Sequence, residues 1–235
     1  MEGVESDQQK KVQPPPLQQP YPEDAELIDL VPPEELSVGK RPLIDVIKSR
    51  MSRRQFSNEP LTMEELSFLL WATQGVRKVP ENKVNTLRTV PSAGARHPFE
   101  TYLVINRVKG LHSGLYRYLP LNHKIYRFLG VDSEFLQRLT EATLGQGFIS
   151  RGAVVFVWTI VPYRAEWRYL IWAHKAIALD AGHVCQNLYL ACEAIGVGTC
   201  AVAAYDQKKM DTLLGVDGRE EFTIYIAPVG KSGEA

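Results

Sequence analysis

The stretch AHKAIALDAGHVCQNLYLACEAIGVGTCAVAAYD, residues 173–206, decides the fold of this chain. Its apolar residues recur with a period close to 3.6, which predicts a long helix with one continuous apolar stripe. The flanks of that stripe are apolar too, so we expect a central helix that packs against protein around most of its circumference. The stripe consists of Ala181, Val184, Cys185, Leu188, Ala191, Cys192 and Ile195.

A glycine turn is expected to end this helix. Gly196 suits the left-handed cap, and Gly198 leaves room for a close backbone approach. The small residues from Cys200 to Tyr205 then predict a buried strand. A strand without bulky side chains is compatible with a flat ligand lying against its backbone, and equally compatible with tight packing of helix on sheet. These residues alone leave both alternatives open.

The composition is that of a soluble globular protein, with 45% hydrophobic and 23% charged residues in 235. Lys plus Arg equals Asp plus Glu at 27 each, so we expect no nucleic acid or membrane partner but a small molecule. No apolar run approaches the roughly 20 residues that span a bilayer, and the polar start lacks signal-peptide features, which predicts a cytoplasmic protein. Cys185, Cys192 and Cys200 are expected to be buried small hydrophobes rather than disulfides or metal ligands.

Residues 1–39 are rich in Pro, Gln and Glu, which favours an extended or disordered tail unless the segment wraps another subunit. Residues 40–235 form the expected domain. Its helices and strands are mixed without regular βαβ alternation or a glycine-rich nucleotide motif, which predicts an α+β fold. Residues 76–90 look irregular, and the aromatic stretch 161–172 is expected to be a lid or the start of a helix that covers a pocket.

A basic cluster, Arg50-Met-Ser-Arg-Arg-Gln-Phe56, follows a short helix that begins after Pro42. Guanidinium groups suit a phosphate because they donate two parallel charge-assisted hydrogen bonds, and a serine hydroxyl adds another. The alternative is a solvated basic turn.

Four separated motifs resemble one family in their order and spacing. They are Arg50-x-Ser52-x-Arg54-x-Phe56, Pro91-Ser-Ala-Gly with His97-Pro98, Asp180-Ala-Gly-His running to Gly196-Val-Gly-Thr-Cys200, and Pro228-Val-Gly-Lys231. Together they resemble the nitroreductase family of FMN oxidoreductases, and within it the SagB-type dehydrogenase branch.

The resemblance implies a nitroreductase-like α+β fold, with a mainly antiparallel central sheet flanked by helices, and an intertwined homodimer with FMN at the subunit interface. It assigns cofactor contacts on one subunit to the basic cluster, to the small strand and to the C-terminal lysine, namely Arg50, Ser52, Arg54, Ala203, Ala204 and Lys231. It assigns the contacts from the other subunit to Pro91, Ser92, Ala93, Gly94 and Ala95.

Three further residues are candidates for the chemistry. In SagB-like azoline dehydrogenases a basic residue followed by tyrosine is associated with proton abstraction; Lys175 occupies the basic position here, but Ala176 stands where the tyrosine would be. Tyr169 is the nearest tyrosine; it is out of register with that position and is expected to line the substrate pocket. His97 is either a substrate-pocket residue or a turn histidine bonded to backbone.

The resulting hypothesis is an FMN-dependent oxidoreductase that passes hydride from a donor such as NAD(P)H to an organic acceptor. The alternative within the same chemistry is a SagB-like thiazoline or oxazoline dehydrogenase of peptide maturation. An alternative of another class is a flavin-binding or partner-binding protein without turnover.

Overall fold

The computed structural model describes residues 3–232, and it is built around one seven-stranded sheet in which every neighbouring pair is antiparallel. The strands are β1 (Leu27–Asp29), β4 (Phe99–Ile105), β5 (Gly114–Leu119), β6 (Lys124–Gly130), β7 (Val154–Ile160), β8 (Val197–Thr199) and β9 (Phe222–Lys231). Their spatial order in the sheet is β1-β6-β5-β4-β7-β9-β8. Flanking helices cover this sheet, so the predicted α+β fold with a mainly antiparallel sheet is confirmed.

The helices begin and end largely where local signals place them. They are α1 (Leu43–Ser49), α2 (Met63–Gln74), α3 (Ser133–Ala142), α4 (Gly147–Ser150), α5 (Tyr163–Tyr169), α6 (Ala173–Ala194) and α7 (Gln207–Leu214). Thr62 and Glu65 form a reciprocal capping box at the start of α2. Asp206 caps α7 by accepting from the backbone N–H of Lys209.

Helix α6 is the central core helix. Val184, Leu188 and Cys192 are at most 1% exposed and belong to the main apolar cluster beneath the sheet. Full burial of a side chain such as Leu188 contributes about 1.5–3 kcal/mol relative to exposure. The three cysteines are free and buried, as expected, and burial raises the pKa of the Cys185 thiol to about 12.

The glycine turn after α6 behaves differently from the expectation in one respect. Gly196 takes a left-handed φ of 72°, but the following strand is Val197–Thr199 rather than the expected 200–205. Within residues 200–205, only Val202 pairs with another strand, through a single antiparallel bridge to Ile226. A Cβ on Gly198 would lie 2.8 Å from the Arg53 Cβ, so this glycine is required by packing against the basic cluster.

Two other segments contain secondary structure, which was unexpected in the first and one of the expected alternatives in the second. The stretch expected to be irregular contains a small antiparallel ladder of β2 (Val76–Lys78) and β3 (Leu87–Arg88). The aromatic stretch forms α5 and a 3-10 turn, Leu170–Trp172, that leads directly into α6.

The N-terminal segment is extended and lies against the rest of the chain. β1 forms the edge of the sheet beside β6, and Leu30 is buried. Its backbone carbonyls accept hydrogen bonds from buried arginines: Pro16 from Arg164 at 2.8 Å and Gln19 from Arg117 at 2.8 Å. A boundary at residue 39 stays a prediction. Within residues 3–232, no helix combines the length and apolarity needed to traverse a bilayer.

Candidate functional site

The basic cluster runs along the end of the sheet that β8 and β9 form. The backbone N–H of Arg53 donates to the carbonyl of Thr199 at 2.9 Å, and Phe56 bridges to Ser232. These contacts hold residues 50–56 beside the chain that follows α6. The fold therefore brings together two of the motifs that lie about 150 residues apart in sequence.

The three arginines of the cluster, Arg50, Arg53 and Arg54, differ in their partners. Arg53 is bound to the carboxylate of Glu193, which is buried near the end of α6. Among residues 3–232, no carboxylate lies within 4.0 Å of the guanidinium groups of Arg50 or Arg54. Within the part of the chain that the structure describes, these two cations therefore have no neutralising carboxylate.

The guanidinium groups of Arg50 and Arg54 lie over aromatic rings. Arg50 stands 5.4 Å from the ring centroid of Tyr189, and Arg54 stands 5.9 Å from that of Phe148. An aromatic face favours a cation without consuming its hydrogen-bond donors. The donors of both side chains thus remain able to bind an anion.

Tyr189 connects three parts of this region. Its hydroxyl lies 2.9 Å from the Ser52 Oγ and accepts the backbone N–H of Ala201 at 2.8 Å. Since that N–H occupies an acceptor site on the phenol, the phenolic proton is free to point at Ser52. The serine and the small segment after β8 are consequently held by one side chain of α6.

The backbone around Ala203 and Ala204 is open. Both alanines are exposed, and the carbonyl of Ala204 accepts from the Gln146 Nε2 at 2.8 Å. Small side chains leave this surface accessible to a flat molecule. Gln146 lies two residues before Phe148, over which Arg54 stands, so one short segment contacts both the alanines and the basic cluster.

Lys231 lies nearby but its ammonium group is engaged. It forms an ion pair with Glu65, whose other carboxylate oxygen accepts the backbone N–H of Thr62 at 2.8 Å. A contact from Lys231 to a bound phosphate would have to be shared with this capping carboxylate, and the contact stays a prediction.

A second group of candidate residues lines a groove of about 460 Å³ on the other part of α6. Lys175 and Tyr169 both face this groove, together with the loop 91–93. Its remaining walls are largely apolar, from residues such as Trp172 and Leu179. The lining consists of Pro91, Ser92, Ala93, Tyr169, Trp172, Lys175, Ala176, Leu179, Asp180 and His183.

His97 lies behind this groove rather than in its lining. It is 2% exposed, and its Nδ1 has no partner among the described residues. Burial and the neighbouring charge of Arg88 lower the pKa of the imidazole to about 2, so His97 is neutral at physiological pH.

The two groups of residues are separated along α6. Asp180 borders the groove and Tyr189 borders the basic cluster, nine residues further on. At 1.5 Å per residue this corresponds to about 14 Å along the helix axis. On a single protomer the two groups of candidate residues therefore lie apart rather than in one closed pocket, and we refer to the basic cluster with the alanines as the first half-site and to the groove as the second.

Two residues that organise these half-sites, Tyr189 and Glu193, were not singled out from the sequence, and Asp180 was named only as the first residue of a motif, without a role. Tyr189 counts as part of the apolar flank of α6, while Glu193 looks like an ordinary polar position of a helix. The available signal is that Asp180 and Glu193 are acidic residues at buried positions, 4% and 6% exposed, which requires partners elsewhere in the fold.

The chemistry of the first half-site fits a phosphorylated planar cofactor. Two guanidinium groups without a carboxylate partner and a serine hydroxyl are donors for a phosphate, and the exposed alanine segment accommodates a flat ring. Within the described residues, no group of three His, Cys, Asp or Glu side chains could hold a metal ion.

Comparisons with known proteins agree with this chemistry. A match to the nitroreductase family extends over residues 47–231. A relative from Methanocaldococcus jannaschii, whose name assigns it provisionally to the nitroreductases, is 34% identical over 192 residues, which are 82% of this chain and 92% of the relative.

Solved structures share the fold. A crystal structure from Ralstonia eutropha, also named provisionally as a nitroreductase, has a TM-score of 0.73 at 24% identity and covers 94% of this chain and 99% of its own. A chain of the Escherichia coli microcin synthetase McbBCD complex with truncated pro-MccB17 has a TM-score of 0.66 at 18% identity. That match covers 100% of this chain and 84% of the other.

Proposed function

This chain belongs to the nitroreductase family of flavin oxidoreductases, whose usual cofactor is FMN, and we propose that it is an FMN-dependent oxidoreductase that takes hydride from NAD(P)H and passes it to an organic acceptor. The observation that carries the proposal is that Arg50 and Arg54 have no carboxylate partner among residues 3–232. Burial of Glu193 against Arg53 leaves these two guanidinium groups, with Ser52, as the anion-binding face of the cluster.

The residues of the first half-site would bind and orient the cofactor. Arg50, Ser52 and Arg54 would hold its phosphate, ribityl chain and pyrimidine edge, while Ala203 and Ala204 would offer backbone groups beside the flat ring system. When bound, FMN supplies the capacity to accept a hydride from one molecule and to give it to another. A cation beside the pyrimidine edge favours the reduced, anionic state, so the basic cluster would also influence the reduction potential.

The second half-site would complete the first across a homodimer interface. The outer face of α1 carries Leu43, Ile44 and Ile47 at 61%, 59% and 56% exposure, and Trp172 beside the groove is 69% exposed. Contiguous apolar side chains of this size are typical of subunit interfaces. A two-fold partner would bring its loop 91–95 to the FMN held by Arg50 and Arg54, and would shield both surfaces from water.

A second candidate function is favoured by the groove. Lys175 and Tyr169 both line this groove, so a tyrosine accompanies the lysine there although Ala176 occupies the adjacent sequence position. In a SagB-like azoline dehydrogenase, Lys175 would accept the proton that leaves the heterocycle. The similarity to a chain of the microcin synthetase complex over this whole chain supports keeping this candidate.

An anaerobic titration distinguishes these functions. Purified protein is reconstituted with FMN, and its flavin absorbance is followed on addition of NADH and NADPH. Bleaching by either nucleotide supports the proposed reductase. Bound flavin that persists with both nucleotides but is bleached by a thiazoline- or oxazoline-containing peptide supports the second candidate. Flavin that persists with all three indicates a binding protein without turnover, and the absence of any FMN binding contradicts the proposal.

A further inference from the structure

Asp180 joins the central helix to the loop that precedes β4. Its Oδ2 accepts the Ser92 hydroxyl at 2.6 Å, and the backbone N–H of Ala93 lies 3.1 Å from the same oxygen. The residue is 4% exposed. The remaining ionisable neighbour is His183, whose Nδ1 lies 3.9 Å from Oδ1.

The loop that Asp180 holds is in a costly conformation. Gly94, Ala95 and His97 have φ values of 58°, 54° and 43°. A left-handed conformation is unfavourable for a residue that carries a Cβ, which applies to Ala95 and His97. Such a loop keeps a single conformation only when contacts with the surrounding helices and strands hold it.

Further contacts oppose Asp180 across the loop. The Ser92 Oγ, which donates to Asp180, also accepts the backbone N–H of His97 at 2.9 Å, so one hydroxyl links both ends of the strained segment. On the other side, a Cβ at Gly94 would lie 2.5 Å from the hydroxyl oxygen of Tyr169. The loop is therefore clamped between α6 and α5.

An aspartate at this position does not serve the helix itself. Asp has a low propensity for helix interiors, and a buried carboxylate loses hydration that only its hydrogen bonds replace. Alanine would suit a buried position in the interior of α6 better. The carboxylate of Asp180 is therefore explained by its hydrogen bonds to Ser92 and Ala93 of the loop.

We infer that Asp180 is a positioning residue for the flavin site, which fixes loop 91–95 in the shape that lines the FMN bound with the other protomer. This inference rests on the proposed function. Asp180 would act through Ser92 and Ala93, without touching the cofactor. The rigidity it gives the loop would determine how the ring system is oriented, and so both the affinity for FMN and the asymmetry of the flavin environment.

The test compares Asp180→Asn with a matched variant, Asp211→Asn. Asp211 is also 4% exposed and also accepts a backbone N–H, that of Thr223 at 2.8 Å, but it lies on α7 and does not line the groove. Each dimeric variant is measured for thermal unfolding, for the Kd of FMN by fluorescence quenching, and for visible circular dichroism of the bound flavin. Ser92→Ala removes one of the two donors to Asp180 and serves as a graded variant.

We expect Asp180→Asn to raise the Kd of FMN about tenfold or more and to change the visible dichroism, with Ser92→Ala giving a smaller change in the same direction. Asp211→Asn is expected to lower the unfolding temperature while leaving the Kd within about twofold. Equal effects of both aspartate variants on Kd and dichroism would reduce Asp180 to a structural role and overturn the inference. If Arg54→Ala weakens FMN binding and Asp180→Asn does not, only this inference fails; if the wild-type protein binds no FMN, the proposed function itself fails.

Discussion

The hydroxyl oxygens of Tyr189 and Ser52 lie 2.9 Å apart, and this contact ties the central helix to the basic cluster. The same phenol accepts the backbone N–H of Ala201. One side chain thus sets the distance between the serine that we assign to the cofactor and the alanine segment that we assign to its ring system.

Replacement of Tyr189 by Phe should therefore weaken cofactor binding as well as the fold. The variant leaves the N–H of Ala201 without its acceptor, which costs about 1–3 kcal/mol of unfolding free energy when the group is buried. We expect a comparable loss of stability in urea unfolding and a Kd for FMN raised several-fold, because Ser52 is no longer oriented.

The control for this variant is Tyr116→Phe. Tyr116 donates to the carbonyl of His112 at 2.8 Å on β5, away from both half-sites. This change should lower stability without altering the Kd for FMN. Equal effects of the two variants on the Kd would show that Tyr189 has no specific role in orienting Ser52.

Arg54→Ala tests the placement of the phosphate. Loss of a charge-assisted hydrogen bond costs about 1.5–3 kcal/mol, so the Kd for FMN should rise by roughly 10- to 150-fold. Stability should change little, because the guanidinium has no carboxylate partner among the described residues and lies over Phe148. Arg219→Ala, on an exposed loop, is the matched control and should leave the Kd unchanged. An unchanged affinity of Arg54→Ala for FMN would show that the phosphate does not bind at this cluster.

The fold could be predicted where the signals are local. The apolar stripe that contains Val184 and Leu188 gives the central helix, and Gly196, Thr62 and Asp206 mark helix ends through the backbone conformation or hydrogen bond that each residue supplies. The four motifs then indicate the family because their order and spacing along the chain resemble those of the nitroreductases.

The remainder depends on contacts between distant residues. The N-terminal segment has a composition typical of a tail, yet it packs because its carbonyls satisfy buried arginines such as Arg117 and Arg164, whose burial the sequence does not reveal. In the candidate site, the pairing of Lys231 with Glu65 and the contact of Asp180 with Ser92 join residues 166 and 88 positions apart. Periodicity contains no information about such pairs.

Ile47→Glu should convert the protein to a monomer. The side chain is 56% exposed on the outer face of α1, and a carboxylate buried in an apolar interface loses its hydration without a partner. Sedimentation velocity should show monomer mass for the variant and dimer mass for the wild type, with FMN retained only by the dimer. Leu121→Glu, in the exposed turn between β5 and β6, is the control and should remain dimeric. A wild-type protein that sediments as a monomer at all concentrations would exclude the shared site.

Mixed dimers can show whether each flavin is shared between protomers. Arg54→Ala disables one half-site and Ala93→Trp blocks the other, so each homodimer should lose its flavin. A heterodimer of the two variants, isolated with two different tags, should regain half of the wild-type flavin content because one of its two sites combines wild-type halves. If both halves of a site came from the same protomer, the heterodimer would regain none.

The buried imidazole of His97 should make the fold sensitive to acid. Its folded pKa of about 2 lies below the unfolded value of 6.5, so stability is fully present above pH 6.5 and falls as the pH is lowered, because only the unfolded state binds the proton. The expected contribution of this group to the slope of unfolding free energy against pH is about 1.4 kcal/mol per pH unit between pH 6.5 and 4.

His97→Asn removes the titrating group, and asparagine tolerates the left-handed φ of 43° at this position. Urea unfolding at a series of pH values should give a shallower pH dependence for His97→Asn than for the wild type, whereas the exposed His112→Asn should leave the slope unchanged. Identical slopes for the wild type and His97→Asn would mean that His97 can be protonated in the folded state.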